Sequence, residues 1–224
     1  MNTGRILCFL LTLTFTNLYA QSVFPFYENG IVGYKNAEGT VIITPKYQAG
    51  TNFFEGLALV VENGMRGYIN SHGEVAIPLI YEDGSVFSNG LARVKKGNKY
   101  GFINHENKVV IPFIYDEATN FSNGIAAVRK GNMWGYIDLS GTLMIPLQFE
   151  YAKEFGEGLA PVRSNGKWGY IDRCGNMVID FEFDQAHIFE NGMAWVMKDD
   201  KTFFIDKNGK FKKEAEDLTP AKRR

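Results

Sequence analysis

Short runs of alternating apolar and polar residues recur along this chain, and they recur in step. Six copies of a Gly-aromatic-Ile-Asx pattern begin at Gly33, Gly67, Gly101, Gly135, Gly169 and Phe203, each 34 residues after the last, without insertion or deletion. Other positions keep the same phase. Ala58-x-Val60 returns at Ala92, Ala126, Ala160 and Ala194, each preceded by a glycine two residues earlier. Aromatic pairs six residues apart recur as Tyr47/Phe53, Tyr81/Phe87, Tyr115/Phe121, Phe149/Phe155 and Phe183/Phe189. A period of this length marks an array of supersecondary units that bury apolar faces against their neighbours.

The turns define three strands per unit. Between the Ala-x-Val and Gly-Tyr-Ile segments stand dipeptides such as Asn29-Gly30, Asn63-Gly64 and Gly97-Asn98, which suit tight type I′ hairpins. After Gly-Tyr-Ile comes Asx-x-x-Gly, as in Asn70 to Gly73 and Asp138 to Gly141, a type I turn with a bulge leading into Val-x-Ile-Pro. Each unit is therefore expected to be a three-stranded antiparallel meander with Gly-Tyr-Ile in the centre. Pro78, Pro112 and Pro146 cannot donate to a ladder, so the third strand ends there or lies on an edge. The connection from Leu79 to Gly90 is too long for a hairpin turn and too apolar for a free loop. Its Tyr and Phe are expected to staple one unit to the next, a burial worth roughly 3–6 kcal/mol gross per repeat.

The fold class is all-β: tandem 34-residue repeats stacked as a curved open array over residues 21–211, with a closed propeller-like ring as the alternative.

The array is flanked by two different segments. Met1 to Ala20 has a single charge at Arg5, an apolar run from Ile6 to Phe15 and a small residue before Gln21, the pattern of a secretory signal peptide cleaved after Ala20. The run is shorter than the roughly 20 residues of a membrane anchor, so no transmembrane span is expected in the mature chain. Residues 212–224 read as a basic, disordered tail; Lys207 to Arg224 holds seven Lys/Arg against three Asp/Glu.

Lys167-Trp168-Gly169-Tyr170-Ile171-Asp172, followed by Gly175, Val178-Ile179 and Glu190-Asn191-Gly192-Met193-Ala194-Trp195-Val196, resembles the WG repeat, also called the KWG repeat, of many bacterial proteins. Met133 to Asp138 matches it equally well. The resemblance extends over about residues 23–211, although the name-giving Trp stands only at 134 and 168 and is replaced by Arg66, Tyr100 and Thr202 elsewhere. It implies a repetitive all-β scaffold, often exported or joined to other domains, and brings no catalytic residues.

Charge and chemistry narrow the function. Loss of Arg5 with the signal leaves 23 basic against 25 acidic residues, which gives no field for nucleic acid or an anionic membrane. Cys174 is then the only thiol, at a turn position filled elsewhere by Glu38, His72, Glu106, Ser140 and Asn208, with no base to activate it. His72, His105 and His187 form no repeated ligand set. Asp138, Asp172 and Asp206 superficially suggest calcium, but Asn36, Asn70 and Asn104 hold the same position and a turn role covers both types. No enzyme, cofactor or metal is expected.

The expected role is an exported, non-catalytic scaffold that binds another protein or a cell-envelope component. A glycan or peptide held by aromatics is the alternative, with Tyr100, Trp134 and Trp168 as candidate ligand-binding residues. A third reading is a structural spacer without a ligand. Export places the protein in the periplasm, on the cell surface or outside the cell.

Overall fold

The turn dipeptides adopt the backbone that their composition favours. Both central residues have positive φ at Asn29-Gly30, Asn63-Gly64, Gly97-Asn98, Asn165-Gly166 and Asp199-Asp200, whereas at Gly131-Asn132 only Gly131 does. Positive φ at both positions gives the twist that joins adjacent strands in a two-residue hairpin. The second turn of each unit is closed by its Asx side chain. Asp138 Oδ1, for example, accepts the Ser140 and Thr142 N–H groups at 2.9 Å each.

The computed structural model describes residues 23–214, and these form six antiparallel sheets without a helix. The first sheet contains β1 (Val23–Glu28), β2 (Ile31–Asn36) and β3 (Val41–Tyr47). The second contains β4 (Ala49–Gly50), β5 (Ala58–Glu62), β6 (Met65–Ile69) and β7 (Val75–Tyr81). The third contains β8 (Asp83–Gly84), β9 (Ala92–Lys96), β10 (Lys99–Ile103) and β11 (Val109–Tyr115). The fourth contains β12 (Glu117–Ala118), β13 (Ile125–Lys130), β14 (Met133–Asp138) and β15 (Leu143–Phe149). The fifth contains β16 (Tyr151–Ala152), β17 (Ala160–Ser164), β18 (Lys167–Ile171) and β19 (Met177–Phe183). The sixth contains β20 (Gln185–Ala186), β21 (Ala194–Lys198), β22 (Lys201–Ile205) and β23 (Phe211–Glu214).

The expected three-stranded meander is present in every unit, and the connection adds a two-residue strand to it from the second unit onward. Val-x-Ile-Pro strands continue past their prolines and lie on the sheet edge, where a missing N–H breaks no ladder. β23 carries the last sheet to Glu214, so Lys212, Lys213 and Glu214 belong to a strand and not to a tail beginning at residue 212. The expected signal peptide, residues 1–20, and the rest of the expected tail lie outside the described residues.

The core lies between sheets. Tyr68, Ile77 and Tyr81 of the second sheet pack with Phe87, Ala92, Val94 and Ile103 of the third, and the same set recurs at each of the other four junctions. Adjacent residues Tyr68 and Ile69 point to opposite faces, so each centre strand serves both neighbours. A unit therefore has no core of its own. The Phe staples are present: Phe53, Phe87, Phe121, Phe155 and Phe189 lie with ring centroids 4.7–5.2 Å from Tyr34, Tyr68, Phe102, Tyr136 and Tyr170 of the preceding unit. The buried tyrosines also donate forward. Tyr68 Oη reaches the Ser85 carbonyl at 2.7 Å and Tyr170 Oη the His187 carbonyl at 2.8 Å. Burial raises the hydroxyl pKa of both far above the ordinary phenol value.

The centre-strand glycine has a local cause. Pairing of β6 with β7 slips between Arg66↔Tyr81 and Tyr68↔Ile77, so β7 bulges over Gly67. A Cβ at Gly67 would stand 2.7 Å from the Ile77 carbonyl oxygen, and at Gly135 2.5 Å from that of Ile145. Only glycine tolerates that approach. Among the described residues no strand of the first sheet pairs with one of the sixth, and none of the five buried clusters joins those two sheets.

Candidate binding slots between successive units

A second chain of contacts runs along the junctions. The residue before each centre-strand glycine, at 66, 100, 134 and 168, lies on the same face as the buried Tyr or Phe two positions later and looks toward the junction with the following unit. The first residue of each short strand, at 83, 117 and 151, stands beside it. This pair of positions forms a slot whose frame is constant and whose side chains are not.

At the second junction the slot is ionic. Asp83 faces Arg66 of the preceding sheet at 3.8 Å and Arg93 of its own at 3.2 Å, and accepts the Tyr100 hydroxyl at 3.0 Å. The third slot is also charged. Arg93, Lys95, Tyr100, Asp116, Glu117 and Ala118 line a depression of about 360 Å³, with the Arg93 guanidinium 5.0 Å from the Tyr100 ring centroid. Glu117 is engaged by Arg129 at 2.6 Å and Asp116 by Lys99. The Lys99 contact holds the Asp116 carboxyl below the usual carboxylate range.

The fourth slot is aromatic. Tyr151 meets Trp134 of the preceding sheet, 5.1 Å away, and Trp168 of its own, 5.6 Å away, both with tilted rings. A depression of about 310 Å³ opens there, lined by Thr119, Trp134, Tyr151, Ala152, Lys153, Glu154 and Ile188. Lys153 lies across Trp168, 5.1 Å from its ring centroid, and donates to the Ala186 carbonyl at 2.9 Å. Burial pulls its pKa below the ordinary lysine value.

The candidate residues are thus placed unequally. The fold brings Trp134 and Trp168 together, but only through Tyr151, and leaves Tyr100 in a separate, charged slot. Trp134 is only 4% exposed, so it supports the junction more than it offers a surface, while Tyr151 is 43% exposed. Tyr151 was not among the expected site residues. Its signal was present as the variable position Ala49, Asp83, Glu117, Tyr151, Gln185, directly before a small Gly or Ala.

The histidines take local partners. His105 stacks on Phe87 at 4.1 Å, with Nε2 3.4 Å from Glu55, and His187 meets Trp195 edge-on at 4.7 Å. Asp172 and Asp206 use Oδ1 to close their own turns; the Asn176 side-chain amide with those turn bonds holds the Asp172 carboxyl below the usual range, and the Lys210 N–H does the same at Asp206. No group of three or more His, Cys, Asp or Glu residues converges among the described residues.

A separate apolar feature lies on the edge strands. Val41, Val75, Val109, Leu143, Met177 and Phe211 open the third strand of the six units, with exposures from 41% at Met177 to 58% at Phe211. Ile42, Val110, Met144 and Val178 follow four of them and are exposed too.

The family model described as "WG containing repeat" matches residues 33–65, 67–100, 100–134, 134–168 and 168–201. A comparison with curated proteins finds no match. Among solved structures, the chain is similar to a eukaryotic initiation factor with a TM-score of 0.56 at 14% identity, over 85% of this chain and 62% of that one. It is also similar to Kluyvelomyces marxianus Hsv2, with a TM-score of 0.55 at 10% identity over 89% and 73% of the two chains. Kluyveromyces lactis Hsv2p gives 0.52 at 10% identity, over 83% and 71%. At such identities the likeness concerns the fold alone.

Proposed function

This chain belongs to the WG-containing repeat family, and on that premise we propose that it is an exported, non-catalytic scaffold binding another protein or a cell-envelope component. One observation carries the reading. Every unit leaves aliphatic or aromatic surface exposed at the start of its edge strand. Stacking sets these side chains in a row, one per unit, and rows of equivalent positions are how repeat arrays present an extended contact face. Exposed apolar residues that recur in register, unlike singly scattered ones, are the mark of an interaction surface. The prolines at 45, 78, 112 and 146 in the same strands discourage edge pairing between copies, so the face is suited to side-chain contact.

The export part of the proposal rests on the charge, apolar run and small residue of Met1 to Ala20. N-terminal sequencing of the cell-derived protein should begin at Gln21, and a start at Met1 would refute export by cleavage. For the contact face, a photoreactive residue placed at Val109 or Leu143 should crosslink a discrete partner in whole cells. The same probe at Asn98, in a hairpin turn, should not. Equal crosslinking from both positions would remove the edge-strand row as the contact face.

A further inference from the structure

We propose that the depression between the fourth and fifth units is a carbohydrate site in which a pyranose ring lies on Tyr151, with Lys153 and Glu154 addressing its hydroxyls. The proposal rests on the binding-scaffold reading and adds a second, chemically different contact to it.

The first support is a prepared aromatic surface. Tyr151 has contacts with Trp134 and Trp168 at 5.1 and 5.6 Å and is still 43% exposed, so the ring is restrained before any ligand arrives. Little side-chain entropy remains to be lost on binding. A pyranose presents an apolar C–H face with hydroxyls around its rim. It therefore needs a flat apolar floor together with donors and acceptors at the side, and the slot has both. Ala152 and Ile188 extend the floor. Lys153 uses one of its three donors on the Ala186 carbonyl, which leaves two for a ligand. Glu154 is exposed beside it and offers an acceptor.

The second support is comparison with equivalent slots in the same chain. The preceding slot is filled by Arg93, Lys95, Asp116 and Glu117, charged groups that keep their water. At the following junction the Trp168 ring is covered by Lys153. Of these equivalent slots the fourth is the one lined by Trp and Tyr together, and a volume of about 310 Å³ is near the lower limit of ligand sites. That size suits one or two sugar rings better than a peptide. An extended peptide would draw its affinity from main-chain bonds to a strand edge, and β16 offers only two residues of edge.

The test is a glycan array probed with the full chain. The array spans hexose, deoxyhexose, N-acetylhexosamine, uronic acid and sialic acid oligomers, and titration of the best hit is followed by tryptophan fluorescence. The parent should bind at least one class with a saturable fluorescence change, because Trp134 lines the depression and Trp168 touches Tyr151. Tyr151→Ala should weaken that binding about tenfold, and Tyr151→Phe should keep it. Gln185→Ala, at the corresponding place in the sixth unit, should have no effect. An unchanged urea midpoint for Tyr151→Ala would show that the loss is local. Absence of binding by the parent across the whole array would overturn the proposal, as would full binding by Tyr151→Ala. So would displacement of the fluorescence change by a proline-rich peptide and by no sugar. Crosslinking from Val109 is read separately: if it persists when the array is silent, the scaffold reading stands and only the carbohydrate site falls.

Discussion

In the fifth unit the centre strand places Gly169 under the bulge of β19, whereas in the sixth the corresponding residue is Phe203 and pairs with Glu214 of β23. A Cβ at Gly169 would lie 2.6 Å from the Ile179 carbonyl oxygen. The two registers explain the two residues. β18 and β19 slip between Trp168↔Phe183 and Tyr170↔Ile179, while β22 and β23 pair in step at Phe203↔Glu214 and Phe204↔Lys213. The bulged backbone, and not the strand as such, demands glycine. A second contrast accompanies the first. Tyr170 is capped by Phe189 at 4.9 Å, but Phe204 is partly exposed, with Lys213 lying over it. Repetition is thus strict where a unit must receive a neighbour on both faces and relaxed at the last described sheet.

The largest effect should come from removing a staple on the strict side. Phe189→Ala deletes a fully buried ring between the fifth and sixth units and should cost about 3–5 kcal/mol. Phe204→Ala, on a partly exposed ring, should cost roughly half as much. Urea midpoints would measure both, and equal losses would end the distinction between inner and terminal units.

Next comes the glycine itself. Gly169→Val forces a branched side chain against main chain and should destabilise by about 3 kcal/mol. Phe203→Val, in a regular register, should change stability by about 1 kcal/mol. Comparable losses at the two sites would show that the bulge is not the reason for the glycine.

Acid should separate the units further. The turn carboxyls of Asp138, Asp172 and Asp206 have pKa values lowered by hydrogen bonds from their own turns. Their contribution is complete above the unfolded carboxyl value of about 4 and is lost as pH falls through the lower folded values. Asn36, Asn70 and Asn104 close the equivalent turns of the first three units without a titrating group. Replacing the three aspartates by Asn should therefore flatten the fall in urea midpoint below about pH 4. An unchanged pH profile would mean that other carboxylates govern acid unfolding.

The smallest effect is expected at Cys174, which is exposed. Its N–H donates to Asp172 Oδ1, a bond that any residue can make. Cys174→Ser should stay within about 0.5 kcal/mol of the parent, and a larger shift would give that thiol a role which the turn does not explain.

The sequence by itself determined the period, the two turns of each unit and the order of the three long strands. These follow from contacts within a few residues: Asn-Gly dipeptides, Asx-x-x-Gly turns and apolar alternation act locally, and repetition in phase multiplies a weak signal. The tandem all-β array and its aromatic staples were legible for the same reason. Tertiary structure alone decided which carbonyl crowds each glycine, that every core lies between units, and that the connection adds a short strand. It also decided that Tyr151 joins Trp134 and Trp168 and is the exposed member of that group, while Tyr100 stands in a charged slot. The decisive neighbours of Tyr151 are Trp134 and Trp168, each 17 residues away and on different sheets. Contacts across such a junction depend on how stacked sheets face one another, which no pattern of turns and alternation within a single unit can specify.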